Sequence, residues 1–170
     1  MPRVGILTLS DRAAAGDYTD RSGPVIRQLV GERLEAEVVE YAIIPDELDR
    51  IRDTLTTWAD ERQLDLILTT GGTGFAPRDV TPEATRAIIQ RETPGLVFAM
   101  LRDSLNVTPH AMLGRGVAGI RGQTLIINLP GSPKAVRENL ESILPALPHA
   151  LELLRQSLNA EAGHSFESKA

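Results

Sequence analysis

Cysteine is absent from the 170 residues, which excludes disulfides, thiolate zinc sites and a cysteine nucleophile together. Histidine is scarce, and His110, His149 and His164 lie too far apart in sequence to form a metal-binding motif. Excess positive charge is missing as well, with 18 Lys and Arg against 23 Asp and Glu and a net charge of −5. That balance argues against a basic nucleic-acid surface, so any anionic ligand must find its cations locally. No stretch reaches the roughly 18 apolar residues of a membrane span. The opening MPRVGILTLS lacks the longer apolar core and cleavage site of a secretory leader. The cytoplasm is therefore the expected compartment. What is present is a composition near globular averages, 42% apolar and 24% charged, in a chain of one-domain length.

Short apolar runs alternate with helical periods along the chain. Residues 4–9 are a compact apolar run ending in the polar SDRAAAGDYTDRSG, as expected of a buried strand that enters a long loop. Val25, Ile26, Leu29, Val30 and Leu34 recur at helical spacing, with Asp20 or Ser22 placed to cap them. A second strand is predicted over 36–44 and a second helix over 46–62, where Leu48, Ile51, Leu55 and Trp58 share a face. Residues 64–68 are apolar throughout, the pattern of a strand covered on both sides. Helices are predicted over 81–89 and 94–105, and two short strands over 116–121 and 123–129 around Arg121 and Gly122. A further helix runs from Ser132 and Pro133 to 144, and a last one from Pro145 or Pro148 to 158. This order specifies an α/β fold, a single three-layer domain over 1–158 with a mostly parallel sheet. A loose polar tail is expected over 159–170. In such folds ligands gather at the carboxyl ends of the strands.

TTGGTGFAPRDVTPEAT, residues 69–85, falls at one of those ends. Gly71, Gly72 and Gly74 let backbone N–H groups approach a phosphate with no Cβ in the way, and Thr73 adds a hydroxyl. A tight turn needing positive φ explains the same glycines. The loop is not a nucleotide-binding P-loop, because the GK[ST] ending is missing. Asp46, after Pro45, reads as a helix cap, a role compatible with metal ligation. Asp79 precedes Thr81 and Pro82, which already supply a cap, so its carboxylate is left for other work. LPGSPKAVRENL repeats the grammar, with Gly131 in the turn, Ser132 at the helix start and Lys134 in the first turn. A helix N-terminus offers spare donors to an anion, and a lysine there runs against the dipole. A plain serine cap with a solvated lysine accounts for the same residues. GRGVAG, residues 114–119, matches G-x-G-x-x-G but precedes an apolar run instead of opening a helix, so the dinucleotide fingerprint lacks its context.

TTGGTGFAPRDVTPEAT closely resembles the signature of the MogA/MoaB family of molybdenum cofactor biosynthesis, the molybdopterin adenylyltransferases. GILTLSDRAAAGDYTDRSGP, the Pro45-Asp46-Glu47 turn, AGIRGQTLIINLPGSPKAVREN and LPHALELL resemble further family segments in family order, over residues 3–155. The resemblance implies a molybdopterin-binding-like fold and AMP transfer from ATP to the terminal phosphate of molybdopterin, with Mg²⁺ as cofactor and pyrophosphate released. It also implies a homotrimer or hexamer, and the downstream molybdenum-insertion protein as a partner. Family aspartates essential for chemistry fall on Asp46 and Asp79. The chain departs from relatives at MLGRGVAG, where Gly114 stands in place of a common serine, and pterin affinity is the property that departure touches.

The residue types fit this chemistry. A phosphate nucleophile is already anionic at neutral pH and needs no general base; the difficulty is bringing anions together. Asp46 and Asp79 therefore suit Mg²⁺ ligation better than proton abstraction. Arg78 and Lys134, with Arg115 or Arg121, are candidates to neutralise phosphates, and residues 71–74 to supply backbone donors. Two other readings compete: a molybdopterin carrier without chemistry, and a nucleotide pyrophosphatase similar to the related domain of the competence-damage-inducible protein.

Overall fold

The computed structural model describes residues 1–155. The predicted extension of the last helix to 158 and the expected tail over 159–170 lie outside the described residues. The chain runs β1 (Arg3–Leu9), α1 (Asp11–Ala14), α2 (Ser22–Leu34), β2 (Glu37–Ile44), α3 (Leu48–Asp60), β3 (Leu66–Thr70) and α4 (Thr81–Ile88). It continues with β4 (Arg91–Glu92), α5 (Pro94–Leu105), β5 (Ala118–Arg121), β6 (Thr124–Leu129), α6 (Pro133–Ile143) and α7 (Leu147–Leu154). Short 3-10 turns occupy Pro109–Leu113 and Leu144–Ala146.

The six strands form one sheet in the order β2-β1-β3-β6-β5-β4. β1, β2, β3 and β6 are parallel, while β5 and β4 add antiparallel pairings at one edge. Thr8 pairs with Thr70 and Thr70 with Leu129, so β1, β3 and β6 end at one level. Between β1 and β3 the strand order reverses, and a crevice opens there in folds of this class.

Two apolar layers cover the sheet. Ile26, Leu29 and Val30 of α2 and Val136, Leu140 and Ile143 of α6 pack with Val4, Ile6, Leu66, Leu68 and Ile127 on one face. Ile51, Leu55 and Trp58 of α3 and Ala84 and Ile88 of α4 pack with Leu7, Leu9, Ile67 and Ile126 on the other. Alternation along β1 and β6 delivers these two sets to opposite sides. Each fully buried Leu or Ile contributes about 1.5–3 kcal/mol, which is why the i, i+4, i+7 stripes of α3 and α6 decide their orientation. Leu48, predicted on the α3 stripe, is 42% exposed, because the buried contact ends a turn short of the helix start. β3 begins two residues later than expected. Leu64 N–H instead closes the end of α3 on Trp58 O, and the Asp65 carboxylate is held by Arg3 N–H and Arg155. Among the described residues, no helix is long and apolar enough to cross a membrane.

Candidate functional site

The glycine loop follows β3 and lies across the end of β1. Gly71 and Gly72 adopt φ of 95° and 67°, a region that other residues enter at a cost. A Cβ on Gly71 would sit 2.3 Å from Leu9 O, and one on Gly72 would sit 2.3 Å from Thr81 Oγ1 and 2.9 Å from Asp46 Oδ1. A Cβ on Gly74 would meet Asp79 Oδ2 at 2.9 Å. Tight turning and close approach are thus both realised here, and each aspartate carboxylate rests against a glycine. Thr81 pins the loop, donating its hydroxyl to Gly71 O at 3.0 Å and its N–H to Gly72 O at 3.1 Å. It is therefore the first residue of α4 and not its cap; the capping position falls on Val80, with no side-chain bond. The backbone N–H groups of Gly72, Thr73 and Gly74 find no acceptor among the described residues. Donors left open on a glycine-rich loop are of the kind that anions engage.

Asp46 does not cap α3, where Glu47 takes the capping position without a side-chain bond. Its Oδ2 accepts the Asp11 N–H at 3.0 Å, and the Asp11 carboxylate accepts the Asp46 N–H at 3.0 Å in return. Its Oδ1 is buried and has no hydrogen-bond partner. Burial, reinforced by the charges of Asp11 and Asp79, raises the Asp46 pKa despite the Asp11 N–H and Arg78. A buried carboxylate oxygen without a donor, beside a second carboxylate, is costly unless a cation compensates it. A hard divalent ion with oxygen ligands fits that need. Among the described residues no group of three or more His, Cys, Asp or Glu gathers for a metal. An ion held by Asp46 and Asp79 would thus complete its shell with substrate phosphates and water, the usual habit of Mg²⁺.

The cations are distributed differently from expectation. Arg78 forms a bidentate pair with Asp11, Nε to Oδ2 at 3.0 Å and Nη2 to Oδ1 at 2.8 Å. This pair ties the start of α1 to the loop after β3, and the Asp11–Asp46 bonds extend it to the loop after β2. Arg121 sits at the opposite end of the sheet, paired with Asp60 and donating to Ile88 O at 2.9 Å. It cannot reach the glycine loop. Ser132 caps α6 by accepting the Ala135 N–H at 3.2 Å. Lys134 is 77% exposed and 3.8 Å from Glu138. These last two contacts are those of the plain cap and solvated lysine. Gly131 O accepts the Ser22 hydroxyl at 2.6 Å, which ties the β6 loop to α2.

Two cavities flank the glycine loop. One of about 170 Å³ lies at the strand-order reversal and is lined by Thr8, Ser10, Tyr18, Ser22, Gly71 and Gly131. The other, about 360 Å³, lies toward α5 and α6 and is lined by Thr73, Gly74, Ser104, His110, Gly114 and Asn139, among others. Asp20 stands at the smaller one. Its Oδ1 accepts the Ser22 and Gly23 N–H groups at 3.0 Å each, starting α2, and its Oδ2 accepts the Thr8 hydroxyl at 2.7 Å and the Tyr41 hydroxyl. Burial opposes its charge, but these four bonds together hold its pKa below the usual carboxylate value. The capping half of this role was visible in the spacing from Asp20 to Ser22; the Thr8 and Tyr41 half was not. Asn128 also escaped sequence reasoning. Buried at the end of β6, it donates to Thr69 and Thr85 hydroxyls at 3.0 Å each and accepts the Val117 N–H at 3.1 Å.

A family model described as a probable molybdopterin binding domain matches residues 5–149. The chain is 49% identical to the gephyrin of Dictyostelium discoideum over 98% of this chain and 24% of that protein, so it spans about a quarter of that relative's length. It is 47% identical to the molybdopterin adenylyltransferase of Helicobacter pylori strain J99, over 89% of this chain and 86% of that one. The crystal structure of the molybdopterin biosynthesis enzyme MoaB from Thermus thermophilus matches with a TM-score of 0.87 and 54% identity, covering 92% of this chain and 98% of that one. The chain, with its mostly parallel sheet and its glycine loop between two aspartates, belongs to the family of probable molybdopterin binding domains.

Proposed function

We propose that the protein adenylylates molybdopterin. An oxygen of the pterin's terminal phosphate attacks the α-phosphorus of ATP, the bond from that phosphorus to the oxygen bridging to the β-phosphate breaks, and pyrophosphate leaves. The reading rests on the unpartnered, buried Oδ1 of Asp46, which shares the glycine loop with Asp79. The name of the 47% identical Helicobacter pylori relative, molybdopterin adenylyltransferase, supports the same reading. A phosphate monoester with a second pKa near 6 is largely dianionic at pH 7, so Asp46 and Asp79 need take no proton. Both would hold Mg²⁺, which when bound offsets phosphate charge and orients the reacting oxygens. Gly72, Thr73 and Gly74 present N–H groups to the transferring phosphoryl group, where preorganised donors favour the developing charge. Arg78 keeps Asp11, and through it the Asp46 turn, in register with the loop.

The protein acts as a homotrimer or hexamer in this reading. Phe98 and Met112 are each 66% exposed, and Leu101, Leu105, Val107 and Leu113 join them on and after α5, an apolar patch of the kind that subunit contacts cover. The setting is cytoplasmic, and the adenylylated pterin passes to the molybdenum-insertion protein downstream. Incubation with molybdopterin, ATP and Mg²⁺ tests the activity: adenylyl-molybdopterin and pyrophosphate should form in equal amounts. Tight pterin binding with no product would leave a carrier. ATP hydrolysis without a pterin product would leave a pyrophosphatase.

A further inference from the structure

Arg115 lies between the 3-10 turn at Pro109–Leu113 and β5, and its polar contacts among the described residues all go to the segment carrying Asp79. Its backbone N–H donates to Thr73 O at 2.9 Å. Its Nε donates to Gly74 O at 2.8 Å, Nη2 to Asp79 O at 2.7 Å and Nη1 to the Glu83 carboxylate. The acceptors lie before, at and after Asp79, so a single rigid fork spans the loop. Gly74 is also the residue against which the Asp79 carboxylate rests. Apart from these bonds, the hydrogen bonds of residues 75–79 among the described residues are the local Ala76–Asp79 turn and the pair of Arg78 with Asp11. Glu83, in the first turn of α4, is placed where the helix dipole favours its charge, and it orients the guanidinium.

We propose that Arg115 is a positioning residue that, with Glu83, clamps residues 74–79 so that the Asp79 carboxylate keeps its place against Gly74 in the loop that Asp46 also meets at Gly72, without itself touching substrate. This rests on the adenylyl-transfer reading only for the use made of Asp79; the clamp is a property of the ligand-free chain. A lysine at 115 would carry the charge but could not reach three acceptors in different directions. Losing a group that orients metal ligands commonly weakens the metal site about 10- to 100-fold.

The test compares Arg115→Ala, Arg115→Lys and Glu83→Gln with the parent in three measurements. Amide hydrogen exchange without ligands should quicken at residues 74–80 in all three variants, most in Arg115→Ala, while β3 and β6 amides keep their protection. Mn²⁺ binding, followed by electron paramagnetic resonance, should weaken by about tenfold or more in Arg115→Ala, with Arg115→Lys between it and the parent. The Mg²⁺ concentration for half-maximal AMP transfer should rise in step and the rate recover at saturating Mg²⁺, while metal-free molybdopterin affinity is unchanged. Unaltered exchange at 74–80 in Arg115→Ala would overturn the clamp. So would lost pterin or ATP affinity with unmoved Mn²⁺ binding, the mark of a phosphate ligand, or tighter phosphate binding in Glu83→Gln. Quickened exchange across the whole sheet would reduce Arg115 to general stability. If Arg115→Ala fails to fold, the two milder variants decide on the same readouts. Should the parent make no adenylyl-molybdopterin, that activity reading fails, while exchange and Mn²⁺ binding still judge the clamp.

Discussion

Gly72→Ala puts a methyl group where two oxygens already sit. At φ of 67° a side chain costs about 1–2 kcal/mol from crowding with the following carbonyl. The new Cβ would lie 2.3 Å from Thr81 Oγ1, so that hydroxyl must leave Gly71 O, at a further cost of about 1 kcal/mol for a hydrogen bond. Together these make about 2–3 kcal/mol, a fall in melting temperature of roughly 4–12 °C for a domain of this size. The same methyl would lie 2.9 Å from Asp46 Oδ1 and cover the oxygen proposed to meet the metal. AMP transfer, assayed well below the melting point where the variant is folded, should therefore fall further than any unfolded fraction explains. Gly114→Ala is the control for stability: φ there is −72°, the nearest atom to a new Cβ is Ala111 O at 3.4 Å, and melting should barely move. Calorimetry and single-turnover assays on both variants decide it. A Gly72→Ala protein melting within about 2 °C of the parent with full activity would refute the reasoning, because both the φ cost and the steric contact would then be absent.

Gly114→Ser, at the larger cavity, should tighten molybdopterin binding by about 0.5–1.5 kcal/mol if the hydroxyl gains one hydrogen bond; unchanged affinity in titration would remove that role. Burial, then the hydrogen bond to Asp20 and its charge, push the Tyr41 hydroxyl from 10.0 up to about 12. Its contribution is intact below pH 10 and is lost as pH rises through about 12. The parent should therefore lose stability to denaturant over that window relative to Tyr41→Phe, and parallel curves would contradict the Asp20–Tyr41 bond. Sedimentation should find a trimer or hexamer at micromolar protein, and Phe98→Asp should dissociate it; a monomeric parent would overturn the subunit-contact reading of α5.

Periodicity carried the fold because helix and strand stripes are local: α2 ends at Leu34 and α5 runs from Pro94 to Leu105, as their sequences predict. β3 starts two residues late because Leu64 and Asp65 bond to α3, Arg3 and Arg155, and it runs two residues further because its end is polar, Thr69 and Thr70, yet buried. Carboxylate chemistry and family resemblance together singled out Asp46 and Asp79. Their partners left no local trace, since the Asp11–Asp46 bonds span 35 positions and Arg115 reaches Asp79 across 36. Arg78 illustrates the limit most clearly. A cation beside a phosphate-type loop suggests a phosphate ligand, and only the folded chain shows Asp11, 67 positions away, already paired with it.

The most direct measurement pairs metal-free molybdopterin affinity with single-turnover AMP transfer in Asp46→Asn and Asp79→Asn. Two carboxylates repel a phosphorylated pterin when no cation lies between them, on the order of 3 kcal/mol per unit-charge pair at about 5 Å and an effective dielectric near 20, before screening. Each variant should therefore bind metal-free pterin as well as the parent or better. Each should also lose more than about nine-tenths of the AMP-transfer rate with Mg²⁺, a barrier increase above roughly 1.4 kcal/mol. A variant that keeps more than about a tenth of the parental rate would contradict that aspartate's place at the metal, and full rate in both would put the metal site elsewhere.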